Sequence, residues 1–146
     1  MDRYDAWLAD FRRRLAQHDA GVACLARDIA SRTSWSVTAV RSSPEFAAPP
    51  VTAGQPPDVL CRVGGESPSL CFEVELPETL VRRATIERLR ELAAHRSIEP
   101  RVVLVVPPDE HERHISQARR MLHRAGLPVE VVAIAPDEKA ITGADW

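Results

Sequence analysis

Three carboxylates are placed where they could do chemistry. Asp58 stands at the head of one apolar run, Pro57-Asp58-Val59-Leu60-Cys61-Arg62-Val63. Glu73 and Glu75 stand near the end of the next, Leu70-Cys71-Phe72-Glu73-Val74-Glu75-Leu76, after a Gly64-Gly65-Glu66-Ser67-Pro68 turn. A charge inside an apolar run costs free energy unless something pairs with it. Side chains alternate across a strand, so Cys71, Glu73 and Glu75 share one face, the two glutamates about 7 Å apart. A hairpin turn centred on Glu66 sets Asp58 opposite the neighbourhood of Val74, and a shift of one residue sets it beside Glu73 or Glu75. Like charges at that range raise one another's pKa unless a cation intervenes. Magnesium suits such a site, because it takes hard oxygen ligands and keeps several waters. Next to a phosphate it can polarise the phosphoryl oxygen, generate hydroxide and neutralise the leaving oxygen. The competing reading leaves Glu73 and Glu75 on the wet face of an edge strand, paired with Arg62, Arg82 or Arg83.

The elements that must position these acids follow from periodicity. Residues 3 to 32 read as helix, with a break near Asp19-Ala20-Gly21 and an apolar stripe of Val22, Leu25, Ala26 and Ile29 beyond it. Ser34 to Arg41 reads as a strand, and the proline-rich stretch from Ser42 to Pro56 as a loop. The two acid-bearing runs follow as a hairpin. Pro77-Glu78-Thr79 opens a helix with proline near its first position and an acid in its first turn. Arg101 to Val106 is an apolar strand covered on both faces. Asp109 and Glu112 suit a capping box for a helix that ends at Gly126, and Val129 to Ala135 is the last strand. The prediction is one α/β domain over residues 1–146, with a mixed sheet flanked by helices and parallel crossovers in its second half.

Pro57-Asp58 followed by Glu73-Val74-Glu75, in the order helix, three strands, helix, strand, resembles the PD-(D/E)XK nuclease superfamily. The resemblance spans roughly Val22 to Val106, and archaeal Holliday-junction resolvases are a similar small version. It implies a restriction-endonuclease-like αβββαβ core with an added C-terminal αβ unit. It also implies magnesium- or manganese-dependent cleavage of DNA, with Asp58, Glu73 and Glu75 catalytic. Asp58 and Glu73 would hold metal, joined by an acid of the first helix, for which Asp28 is the nearest candidate. Arg82 and Arg83 could hold a phosphate or simply balance Glu73 and Glu75. The departure is Glu75, which stands where lysine is usual. Some restriction enzymes of the superfamily carry glutamate there and cleave, while other members of such folds have lost cleavage. The stretch from Glu73 to Leu80 is also similar to uncharacterised small prokaryotic proteins with a V-E-V-E-T-P-E-[ST]-L segment. No glutamine motif follows on the next helix, which disfavours the exonuclease branch. The alternative function is the same fold without catalysis, a nucleic-acid- or protein-binding module expected as a homodimer. The third is an unrelated α/β domain with structural acids.

Composition narrows the rest. A net charge of -2 supplies no global basic field for nucleic acid, though it leaves room for a local basic face. Lys139 is the sole lysine among 19 basic residues. An arginine bias of that kind would turn a lysine into arginine, not into Glu75. Arg12, Arg13 and Arg14 read as a solvated face. Cys24, Cys61 and Cys71 form no C-x-x-C pair and read as buried thiols in a reducing compartment. The charged N-terminal segment and the lack of a long apolar run predict a cytoplasmic protein that does not span a membrane. His111 and His114 are spaced unlike a zinc-binding H-E-x-x-H helix and read as a solvated face. Ser67 and Ser69 have no nearby histidine for a hydrolase triad.

Overall fold

The computed structural model describes residues 2–41, 57–144 and 146. Its elements run α1 (Arg3–Arg32), β1 (Ser36–Val40), β2 (Val59–Arg62), β3 (Ser69–Glu75), α2 (Pro77–Leu80), α3 (Arg83–Ala93), β4 (Ile98–Val105), α4 (His111–Arg124), β5 (Glu130–Ala135) and β6 (Ala140–Thr142). The six strands lie side by side in chain order. The β1–β2, β2–β3 and β5–β6 pairs are antiparallel; β3–β4 and β4–β5 are parallel. This is the mixed α/β fold expected, with helix, three strands, helix, strand in the expected order. Ser42 to Pro56, read as a loop, lies outside the described residues. No helix among the described residues is long and apolar enough to cross a membrane.

Strand alternation divides the core between the two sheet faces. Val59, Leu70, Phe72, Val74, Val103, Val132 and Ile134 point to the face covered by the α1 stripe Val22, Leu25, Ala26 and Ile29. Val102, Leu104, Val131 and Ala133 point to the other face, where Leu89 of α3 and Ile115, Ala118 and Leu122 of α4 cover them. Adjacent β4 residues thus serve opposite layers, which is why its second half, Val102 to Val105, is continuously apolar.

Several boundaries differ from the sequence reading, each for a physical reason. α1 does not break at Asp19-Ala20-Gly21. Gly21 is buried instead, and an added Cβ would lie 2.6 Å from Val105 Cγ2 and 3.1 Å from Val74 Cγ1. The glycine lets the helix lie against the sheet. The helix opened by Pro77 stops after one turn, and Arg82 takes an extended backbone (ψ 140°) before α3 begins. The Thr85 hydroxyl donates to the Thr79 carbonyl at 2.8 Å and ties the two pieces together. α4 ends as expected: Gly126 has φ +74°, and the Leu127 N–H reaches back to the Leu122 carbonyl at 2.8 Å.

β6 went unread, and it changes the reading of His111. That histidine is no solvated residue but 1% exposed. Its Nε2 lies 2.9 Å from the Val106 carbonyl and its Nδ1 2.9 Å from Thr142 Oγ1, joining β6 to the end of β4. His114 lies 3.9 Å from Glu110 on the outer side of the same helix, so the two rings do not converge.

Candidate functional site

The hairpin sets the geometry. Val59 pairs with Phe72 and Leu60 with Cys71, so the next step of the same register sets Asp58 beside Glu73, one residue from the Glu66-centred estimate. Asp58 lies just ahead of β2, and its Oδ2 accepts the Val74 N–H at 2.9 Å. The side chain takes the place of a backbone carbonyl where the ladder ends. Glu73 and Glu75 follow on β3, and all three acids line one cleft of about 580 Å³ at the C-terminal end of that strand. α1 forms one wall and α2–α3 the other. Clefts at the carboxyl ends of parallel strands are common binding sites in open sheets.

Glu73 is 5% exposed. Its Oε1 accepts from Arg88 Nη2 at 2.9 Å and Nε at 3.1 Å, and from the Cys71 thiol at 3.7 Å. Burial, reinforced by the Asp58 charge, pushes its pKa up to about 7 against the pull of Arg88. Asp58 is 3% exposed. His18 Nε2 approaches its Oδ1 to 3.2 Å, and Arg41 Nη1 to 3.9 Å. Beyond these two contacts, the buried Oδ1 has no donor among the described residues. The neighbouring Asp58 carboxylate raises the His18 pKa to about 9, against the opposing effect of burial. Glu75 is half-buried and accepts from the Thr79 hydroxyl. Burial raises its pKa too, and Thr79 opposes the rise. Thr79 Oγ1 also accepts the Leu76 N–H at 3.0 Å, so the first turn of α2 fixes the Glu75 carboxylate.

The remaining residues singled out in the sequence separate. Arg82 lines the cleft. Arg83 does not: it is exposed and pairs with Glu87 at 2.8 Å. Asp28 is not part of the carboxylate cluster. It lies ten residues beyond His18 along α1, about 15 Å at the helical rise. There it accepts from Trp146 Nε1 at 2.8 Å and pairs with Arg32 Nε at 2.9 Å. The side chains that the sequence reading missed are the cations His18, Arg41 and Arg88, together with Thr79. For Arg88 a signal existed: it directly precedes Leu89 in the stripe of α3, a position turned partly inward.

Among the described residues, no group of three or more His, Cys, Asp and Glu side chains is set to hold a metal ion. The positive charge that buried Asp58 and Glu73 require comes from His18 and Arg88 instead. The cysteines are not candidate nucleophiles: burial raises the pKa of Cys24, of Cys61 to about 12, and of Cys71 higher still.

The titrations predict a stability profile. Glu73 prefers its neutral form in the fold, so its contribution falls as pH rises from the ordinary value of 4.5 to about 7. The His18 contribution is fully present below 6.5 and is lost as pH rises through about 9. Both lower the melting temperature with increasing pH. In thermal denaturation from pH 5 to 9, His18→Ala will flatten the curve between 6.5 and 9. A variant curve parallel to the parent's in that window would refute the assigned ion pair.

No protein-family model matches the chain. No curated protein matches it. Among solved structures, an XisH family protein from Nostoc punctiforme PCC 73102 is similar over 84% of this chain and 95% of that chain, at 9% identity and a TM-score of 0.48.

Proposed function

We propose that this chain is a nuclease-like domain that binds a nucleic-acid backbone without cleaving it. One observation carries the reading. Both buried carboxylates are matched by the protein's own cations, Asp58 by His18 from α1 and Glu73 by Arg88 from α3. A metal would have to displace a guanidinium held through two nitrogens. Arg88 is no substitute for a catalytic lysine as a proton carrier, since guanidinium stays protonated in proteins. Arg41 and Arg82, both exposed on the cleft, are the side chains that would meet phosphates.

Calorimetry with magnesium and manganese tests the first half: no heat of binding is expected. Fluorescence anisotropy with duplex, single-stranded and branched DNA tests the second. Binding should weaken with salt, and Arg41→Ala or Arg82→Ala should each lower the slope of log K against log salt by about 1. DNA affinity unchanged in both variants would refute the cleft as the contact surface.

The second reading, a metal-dependent nuclease with Asp58, Glu73 and Glu75 catalytic, has a specific observation in its favour. Beyond the His18 and Arg41 contacts, Asp58 Oδ1 has no donor among the described residues, and burial raises the pKa of both glutamates, the Asp58 charge adding to the rise. Manganese-dependent cleavage of any of the three DNAs, abolished by Asp58→Asn, would establish it and overturn the binding-only proposal.

A further inference from the structure

The N-terminal half of α1 carries an apolar surface to which neither reading of the cleft gives a role. All buried residues of the helix lie between Gly21 and Ile29. Ahead of them, Tyr4, Trp7, Phe11 and Leu15 are 64%, 55%, 45% and 49% exposed. Their spacing of three, four and four residues sets them in one stripe along the helix. The aromatic members already touch: Tyr4 and Trp7 centroids lie 6.1 Å apart, and Trp7 and Phe11 stack at 5.6 Å. About three turns of helix with an uncovered apolar stripe are marginal in water, and exposed apolar patches of this kind mark interaction sites.

We propose that the stripe pairs with the same stripe of a second copy, antiparallel about a two-fold axis near Ala9. The charge pattern selects this occupant. At the outer end of the stripe Asp2 and Asp5 outnumber Arg3; at its inner end Arg12, Arg13 and Arg14 outnumber Asp10, which pairs with Arg13 and Arg14. In an antiparallel pair the acidic end of each helix meets the basic stretch of the other, and the two helix dipoles oppose. A parallel pair would set like against like. The two-fold also brings Trp7 of each copy to Phe11 of the other, an isologous contact in which one patch is its own complement. Phe11 and Leu15 line the carboxylate cleft as well, so the second copy would flank the mouth of that cleft. The pairing does not depend on what the cleft binds.

Sedimentation equilibrium of the full chain, from about 1 to 100 μM, tests it; a dimer with micromolar Kd is nearly complete at the upper end. The parent is expected to dimerise, and Trp7→Glu with Phe11→Glu to be monomeric throughout with unchanged circular dichroism, since both positions are exposed. Arg12→Glu with Arg13→Glu should raise the dimer Kd at least about tenfold, and adding Asp5→Lys should recover part of that loss. A parent that stays monomeric at 100 μM overturns the proposal, whether the stripe stays open or is covered by residues 42–56 or by a different protein. So does a dimer that the Trp7 and Phe11 changes leave intact.

Discussion

Replacing Arg88 with methionine will cost about 3–5 kcal/mol of stability at pH 8, the usual penalty for stripping a buried charge of its partner. Glu73 is 5% exposed, and Arg88 meets its Oε1 through two nitrogens. Without the guanidinium, the carboxylate faces Asp58 across a low-dielectric cleft with only the Cys71 thiol as donor among the contacts described. It would take up a proton instead, so the penalty should shrink at pH 5, where that proton is readily supplied. Adding Glu73→Gln to the same chain removes the stranded charge and should recover most of the loss at pH 8. Urea denaturation of the parent, the single variant and the pair, at both pH values, reads all three effects. A single variant as stable as the parent at pH 8 would mean that the ion pair is not formed. Failure of the double variant to recover would mean that the methionine destabilises through packing alone.

Gly21→Ala will destabilise the protein by about 1–3 kcal/mol, the range for overpacking a filled core. Helix propensity predicts the opposite sign, a gain of about 1 kcal/mol for alanine over glycine inside a helix. Contact geometry decides between them. The new methyl would lie 2.6 Å from Val105 Cγ2 and 3.1 Å from Val74 Cγ1. Both neighbours are β-branched side chains of the sheet, stiff at χ1, and neither can swing aside cheaply. Adding Val105→Ala should restore much of the loss, because it removes the nearer clash. A melting temperature at or above the parent's for Gly21→Ala would show that α1 is free to ride up from the sheet.

Gly21 also shows where the sequence stops informing. Read locally, glycine after Asp19-Ala20 is a weak point in a helix. Its actual role depends on β3 and β4, more than 50 residues further along the chain. The broad pattern was legible because it rests on periodicity: the stripe of Val22 to Ile29, the alternation of the hairpin, the continuous apolar run of β4. The hairpin register came within one residue. β6 was too short to show a period and follows a lysine in the left-handed region, Lys139 at φ 50°, where sequence rules expect glycine or asparagine.

The acids of the site were legible and their partners were not. Asp58, Glu73 and Glu75 share a cleft because strand geometry forces it. His18 and Arg88 reach it from helices on opposite faces of the sheet, and periodicity says that such residues sit near a buried stripe without saying what they face. Asp28 illustrates the converse. It has the right residue type on the right helix, but lies three turns too far along, where Trp146 and Arg32 engage it.

The sheet order has a bearing on how the chain is made. Strands lie in the order of their synthesis, so each new one pairs with the edge left by its predecessor, and none has to be inserted between two already joined. α1 is the exception to this sequential growth. It emerges before every strand of the sheet, yet its apolar stripe is covered in part by Val132 and Ile134 of β5. On the ribosome, α1 therefore keeps an incomplete cover until β5 has emerged.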